Sequence, residues 1–160
     1  MNVGAIRILG IDPGLRQTGW GLIEVSGSHL AYVGCGSIRT ESSTALAERL
    51  ALIHRTLARL IEDERPAEGA VEETFVNRDP QSALKLGQAR GVALAALSLG
   101  GLVVAEYAAN LIKKTVVGVG HAEKDQVAMM VKMLLPASEA RSPDAADALA
   151  GSSIFTIIAT

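Results

Sequence analysis

Four carboxylates stand out by their positions. Asp12 closes an apolar run in "RILGIDPG", and Glu72 closes a shorter one in "AVEE". Asp144 and Asp147 stand three residues apart in "SPDAADALA". That spacing puts the last pair on one face of a helix, and the surrounding alanines suit close packing against a sheet. Four carboxylates brought to one site repel one another unless cations neutralise them. With no His or Cys at ligand spacing, an oxygen-only set selects hard ions such as Mg²⁺ or Mn²⁺. Two such ions about 4 Å apart can clamp the attacking water and the leaving oxygen of a phosphodiester, which is nuclease chemistry. Each acid alone also has a structural use. Asp12 precedes a Pro-Gly turn, and the helix dipole favours Asp144 in a first turn. Only convergence argues for a site.

The elements that would carry these acids can be read from apolar spacing. "RILGID", "GWGLIEV" and "LAYVGCGSI", bounded by "DPG" and "SGS", predict an antiparallel meander of three strands. Leu46, Leu50, Ile53, Leu57 and Leu60 recur every three or four residues and predict a helix over about 44 to 64. Thr44 or Ser43 is available to cap its start, and Pro66 lies just past its end. "AVEE" reads as a strand, "DPQSALKLGQARGVALAALS" as a long helix stopped at Gly100-Gly101, and "LVVAEY" as a further strand. A short helical stretch, the helix "KDQVAMMVKMLL" and a last helix with Ser142 as N-cap and Pro143 at N1 follow. The order β-β-β-α-β-α-β-α-α-α predicts an α/β fold. Its mixed five-stranded sheet has three antiparallel strands, then parallel ones, and is flanked by α-helices. Parallel strands with crossover helices present functional groups at their C-terminal ends, where Asp12 and Glu72 fall.

The 160 residues are expected to form a single domain, 1–160, with a sizeable core. About half the residues are apolar and a fifth charged, which excludes a disordered or fibrous chain. The net charge of −2 does not announce nucleic acid. The late lysines and the central acids read first as solvated faces. A single cysteine, Cys35, excludes an intrachain disulfide and reads as a buried thiol in a reducing compartment. Trp20 reads as a core residue of its strand. The start lacks the features of a signal peptide. The longest apolar run, "GVALAALSLGGLVVA", is shorter than the roughly 20 residues that span a bilayer. The expectation is a soluble cytoplasmic protein.

"ILGIDPGLRQTGWGLIE", "VEETFV", "SALKLGQARGVALAAL", "EYAANLIKKTVVGVGHAEKDQV" and "DAADALA" occur in this order and at this spacing. Over residues 5 to about 150 the chain resembles the RuvC family of bacterial Holliday-junction resolvases, in the ribonuclease H-like superfamily. "GIDPG" alone is shared with other ribonuclease H-like and actin-like chains, whereas "SALKLGQARG", "KTVVGVG" and "DAADALA" are specific. The resemblance implies a ribonuclease H-like fold and a homodimeric, Mg²⁺-dependent endonuclease. Such an enzyme nicks two strands of a four-way DNA junction symmetrically in recombination and repair, leaving 5′-phosphate and 3′-hydroxyl ends.

The resemblance also implies roles, position by position. Asp12, Glu72, Asp144 and Asp147 fall on the family's metal-binding catalytic acids, which implies two Mg²⁺ per subunit, with Mn²⁺ as a substitute. Glu73 turns to the opposite face of its strand. Phe75 matches an aromatic that meets unpaired bases at the junction centre. Lys113 and Lys124 match lysines that contact DNA phosphates near the cut, where either can stabilise developing charge. Arg78, Lys85 and Lys114 are further candidates for backbone contact. Gly87, Gly91 and Ala95 form a small-residue stripe on the long helix. That stripe can pack on the chain's own sheet, and the resemblance implies that the helix also builds a two-fold dimer. RuvA and RuvB are the implied branch-migration partners. The ending "GSSIFTIIAT" departs from the family's usual polar tail. The rival readings are a ribonuclease H-like nuclease that processes RNA and a non-catalytic junction-binding module. An actin-like phosphotransferase would need a second domain, for which 160 residues leave no room.

Overall fold

A computed structural model of the chain describes residues 4–73 and 79–108. The first apolar run forms strand β1 (Ile6–Asp12), followed by β2 (Gln17–Ser26) and β3 (His29–Arg39). These three make the expected antiparallel meander. Gly27, at φ +58°, takes the first position of the two-residue turn between β2 and β3, where a side chain would be strained. Helix α1 (Leu46–Glu64) leads to β4 (Glu68–Glu73), and helix α2 (Pro80–Leu99) leads to β5 (Val103–Ala108). β4 lies parallel to β1, and β5 parallel to β4, giving one five-stranded sheet in the order β3-β2-β1-β4-β5. Architecture and element order agree with the expectation.

Both helices cover one face of the sheet. Leu9, Ile11, Leu22, Ile38 and Val71 meet Ile53, Leu57 and Ile61 of α1 and Ala89, Ala93, Ala96 and Leu97 of α2 in one buried cluster. Each large aliphatic side chain so buried contributes about 1.5–3 kcal/mol. Ile8, Ile23 and Ala70, which alternate with that set, are also buried. Burial on both faces is the mark of a central strand in an α/β sheet. Among the described residues no helix is long and apolar enough to cross a membrane.

Four expectations need correction or narrowing. Neither Thr44 nor Ser43 caps α1. The chain makes a turn in which the Thr44 N–H donates to the Glu41 carbonyl at 3.1 Å, and Ala45 becomes the N-cap without a side-chain bond. Cys35 is only half-buried, because β3 is an edge strand of the described sheet. Its Sγ lies 3.6 Å from the Tyr32 hydroxyl. Trp20 is also half-buried. Its indole lies over Gly34 and Gly36 of β3, and a Cβ on Gly36 would come within 2.9 Å of the ring. Finally, the stripe of Gly87, Gly91 and Ala95 does not pack on the chain's own sheet. All three are exposed, and α2 faces the sheet with Ala89, Ala93, Ala96 and Leu97 instead.

The end of α1 is tied to the sheet. Arg65 is its C-cap in the left-handed conformation, φ 49°, and donates its N–H to the Ile61 carbonyl at 2.9 Å. The Arg7 guanidinium on β1 donates to the Glu64 carbonyl at 3.1 Å and to its carboxylate at 2.7 Å.

Candidate active site

The acids follow from strand register. Ile11 pairs with Val71 as the last aligned pair of the β1–β4 ladder. Asp12 and Glu72 come next in each strand, so they stand side by side on strands about 4.8 Å apart. Ile11 and Val71 point into the cluster with α1 and α2. Alternation therefore sends Asp12 and Glu72 to the opposite face. Gly19 of β2 lies beside Asp12, and Tyr107 of β5 lies beside Glu72, so these four residues form one row across the strand ends. Both acids are half-buried.

The chain that leaves Asp12 is held by two buried threonines. The Thr18 hydroxyl donates to the Gly14 carbonyl at 2.6 Å and accepts from the Gly14 N–H at 3.3 Å. The Thr40 hydroxyl donates to the Leu15 carbonyl at 2.5 Å and accepts from Arg49 Nε at 2.8 Å. The Thr40 N–H donates to the Arg16 carbonyl at 3.0 Å. Gly14 is required by space, since a Cβ there would lie 2.2 Å from the Gln17 carbonyl oxygen. The Pro13-Gly14 turn is thus a fixed frame directly after the carboxylate.

Glu72 has a different support. Arg90, on α2, donates from Nε to the Glu72 carbonyl at 3.2 Å and pairs through Nη2 with Glu106 Oε2 of β5 at 2.5 Å. Thr18, Thr40 and Arg90 were not singled out in the sequence.

Among the other candidates, Lys85 is exposed on the second turn of α2. That helix opens on Asp79, whose carboxylate accepts from the Ser82 hydroxyl at 2.5 Å and from the N–H groups of Gln81 and Ser82. The Ser82 hydroxyl, and after it the Gln81 N–H, holds the Asp79 carboxyl below the usual carboxylate range. Phe75, Arg78, Lys113, Lys114, Lys124, Asp144 and Asp147 lie outside the described residues.

Among the described residues no three His, Cys, Asp or Glu gather into one cluster. The pair that does form, Asp12 with Glu72, is a hard oxygen donor set, and Mg²⁺ is the class of ion such donors fit.

The model of the family described as crossover junction endodeoxyribonuclease RuvC matches residues 8–154. The chain belongs to the RuvC family. The crossover junction endodeoxyribonuclease RuvC of Methylocella silvestris is 69% identical over 150 residues, covering 94% of this chain and 85% of that one. The RuvC of Rhodopseudomonas palustris strain BisA53 is 61% identical over 149 residues, covering 93% of this chain and 86% of its own. Among solved structures, Thermus thermophilus RuvC in complex with Holliday junction substrate superposes with a TM-score of 0.89 at 33% identity, covering 96% of this chain and 94% of that one. The yeast mitochondrial Holliday junction resolvase Ydc2, 12% identical with a TM-score of 0.67, shares the fold. RuvC-family membership thus extends past the described sheet to the stretch that holds Asp144 and Asp147.

Proposed function

We propose that this chain is a Holliday-junction resolvase, a crossover junction endodeoxyribonuclease that nicks two strands of a four-way DNA junction symmetrically in recombination and repair. The observation that carries this reading is the likeness, over nearly the whole chain, to a RuvC solved with Holliday junction substrate. The Asp12–Glu72 pair supports it, because a phosphodiesterase needs such acids at strand ends.

Asp12 and Glu72, with Asp144 and Asp147, hold divalent metal, Mg²⁺ by donor class and two ions per subunit. When bound, the metal supplies charge neutralisation and Lewis-acid polarisation of the phosphate and the attacking water. The protein's own part is to fix the acids before substrate arrives. Asp12 is set by β1 and the threonine-held turn, and Glu72 by β4. Water attacks the phosphorus in line and the 3′-oxygen leaves, giving 5′-phosphate and 3′-hydroxyl ends. Lys113 and Lys124 contact phosphates near the cut and stabilise charge that develops there. Phe75 stacks on an unpaired base, a contact worth about 1–3 kcal/mol. Arg78, Lys85 and Lys114 contact the DNA backbone, and the exposure of Lys85 suits that use.

The enzyme acts as a two-fold homodimer, so that two identical sites meet two opposed strands. The open stripe of Gly87, Gly91 and Ala95, with exposed Leu84 and Leu99 on the same helix, supports this. RuvA and RuvB are its branch-migration partners, and the work is cytoplasmic. The test is to offer the purified chain a four-way DNA junction and a structured RNA in Mg²⁺. Paired nicks are expected in the junction and none in the RNA.

A further inference from the structure

Asp12 and Glu72 are supported unequally by the sheet. Asp12 pairs with Gly19 on one side and is followed by the turn that Thr18 and Thr40 hold. Glu72 stands one residue past the last β1–β4 pair, two residues before the end of the described segment, and next to a second glutamate, Glu73. A one-residue slip or a twist of this strand end would turn Glu73 to the acid face in place of Glu72.

Arg90 is positioned to oppose that. It lies beside Ala89, which packs on the sheet, and its guanidinium reaches two strands at once. Nε donates to the Glu72 carbonyl at 3.2 Å, and Nη2 pairs with Glu106 of β5. Glu106 is aligned with Val71, so it points to the helix-covered face. The brace therefore runs under the sheet, away from the carboxylates. It grips the backbone of Glu72 and not its side chain, so its positive charge does not compete with a cation for the acid. As a simple ion pair, Arg90–Glu106 would count for little, since Glu106 is 45% exposed. The bond to the Glu72 carbonyl gives the pair a purpose.

We propose that Arg90, anchored by Glu106, is a positioning residue that fixes the end of β4 so that Glu72 stands beside Asp12 ready for metal. This rests on the reading of Glu72 as a metal ligand. Partners that orient metal ligands typically matter by about 10–100-fold in metal affinity.

The test uses the full chain and reads metal binding separately from catalysis. Mn²⁺ affinity is measured by electron paramagnetic resonance, Mg²⁺ demand by the concentration giving half-maximal junction cleavage, and junction affinity in EDTA. Arg90→Met is expected to weaken Mn²⁺ binding and raise the Mg²⁺ demand about tenfold, with junction affinity in EDTA unchanged. Glu106→Gln keeps the guanidinium and loosens only its anchor. It is expected to shift both in the same direction by a smaller factor, and it decides the matter if Arg90→Met fails to fold. In a Glu72→Gln background, Arg90→Met should change Mn²⁺ affinity no further. Wild-type Mn²⁺ affinity in both single variants, alongside weakened binding in Glu72→Gln, overturns the role of Arg90. So does an Arg90→Met effect of the same size in the Glu72→Gln background. Unchanged Mn²⁺ binding in Glu72→Gln itself overturns the ligand reading instead.

Discussion

Asp12 and Glu72 each follow a buried aliphatic residue, Ile11 and Val71, that pairs with its counterpart across the β1–β4 ladder. The apolar pair sets the polar one. To move either carboxylate to the other face, its strand would have to slip by one residue and bring Ile11 or Val71 out of the core. Each such exposure costs about 1.5–3 kcal/mol. The register that brings two like charges together is therefore held by hydrophobic burial, and the acids need no attraction of their own.

The turn after Asp12 depends on a single hydroxyl. Thr18→Val keeps the shape of the side chain and removes both of its bonds to Gly14. A buried carbonyl and N–H left without their partner cost about 1–3 kcal/mol. Urea unfolding should register that loss, junction cleavage should slow, and junction binding in EDTA should hold. Thr18→Ser should recover most of both.

The C-cap of α1 is a stabilisation site. Arg65 pays the strain of a left-handed conformation at φ 49°, and its N–H bond to Ile61 is a backbone bond that glycine would keep. Arg65→Gly is expected to raise stability by up to about 1 kcal/mol in thermal unfolding, with cleavage unchanged. A fall in stability would mean that the Arg65 side chain contributes more than the strain costs.

Asp79 gives a pH-dependent cap. Its carboxyl is held below the usual range, chiefly by the Ser82 hydroxyl, so folding favours the charged form. That contribution is complete above the unfolded-state pKa, near 4, and fades as pH falls through the lower folded-state value. Asp79→Ala should lower the Tm at pH 6 to 7, and the gap from wild type should narrow below about pH 4. A gap that stays constant down to pH 3 would contradict a charged cap.

How much of this was legible in the sequence depends on range. Asp12 could be read because an apolar run, an acid and a Pro-Gly turn are adjacent in the chain. Glu72 could be preferred to Glu73 because alternation from the apolar Val71 is a local rule. Thr18 and Thr40 were not legible. The bond from Thr40 to Leu15 spans 25 residues and exists only once β3 has returned to the turn. Arg90 was hidden in a helix with alanine and glycine on both sides, where spacing gives no direction. The start of α1 was misread because Thr44 has the right side chain, but the turn from Glu41 uses that residue before the helix begins. Pro66 marked the helix end correctly. The residue before a proline usually avoids helical conformations for an extended one, so nothing local announced a left-handed Arg65.

The central claim is that Asp12 and Glu72 form half of a metal-holding site that cuts four-way DNA junctions. The most direct measurement is mapped cleavage of a synthetic four-way junction in Mg²⁺ by the wild type, Asp12→Asn and Glu72→Gln. The account predicts paired, symmetric nicks from the wild type. It predicts that either variant binds the junction in EDTA as the wild type does but cleaves it on the order of 10³-fold more slowly, or not at all. Cleavage at near wild-type rate by either variant, or a wild type that binds the junction and leaves it uncut, would contradict the account.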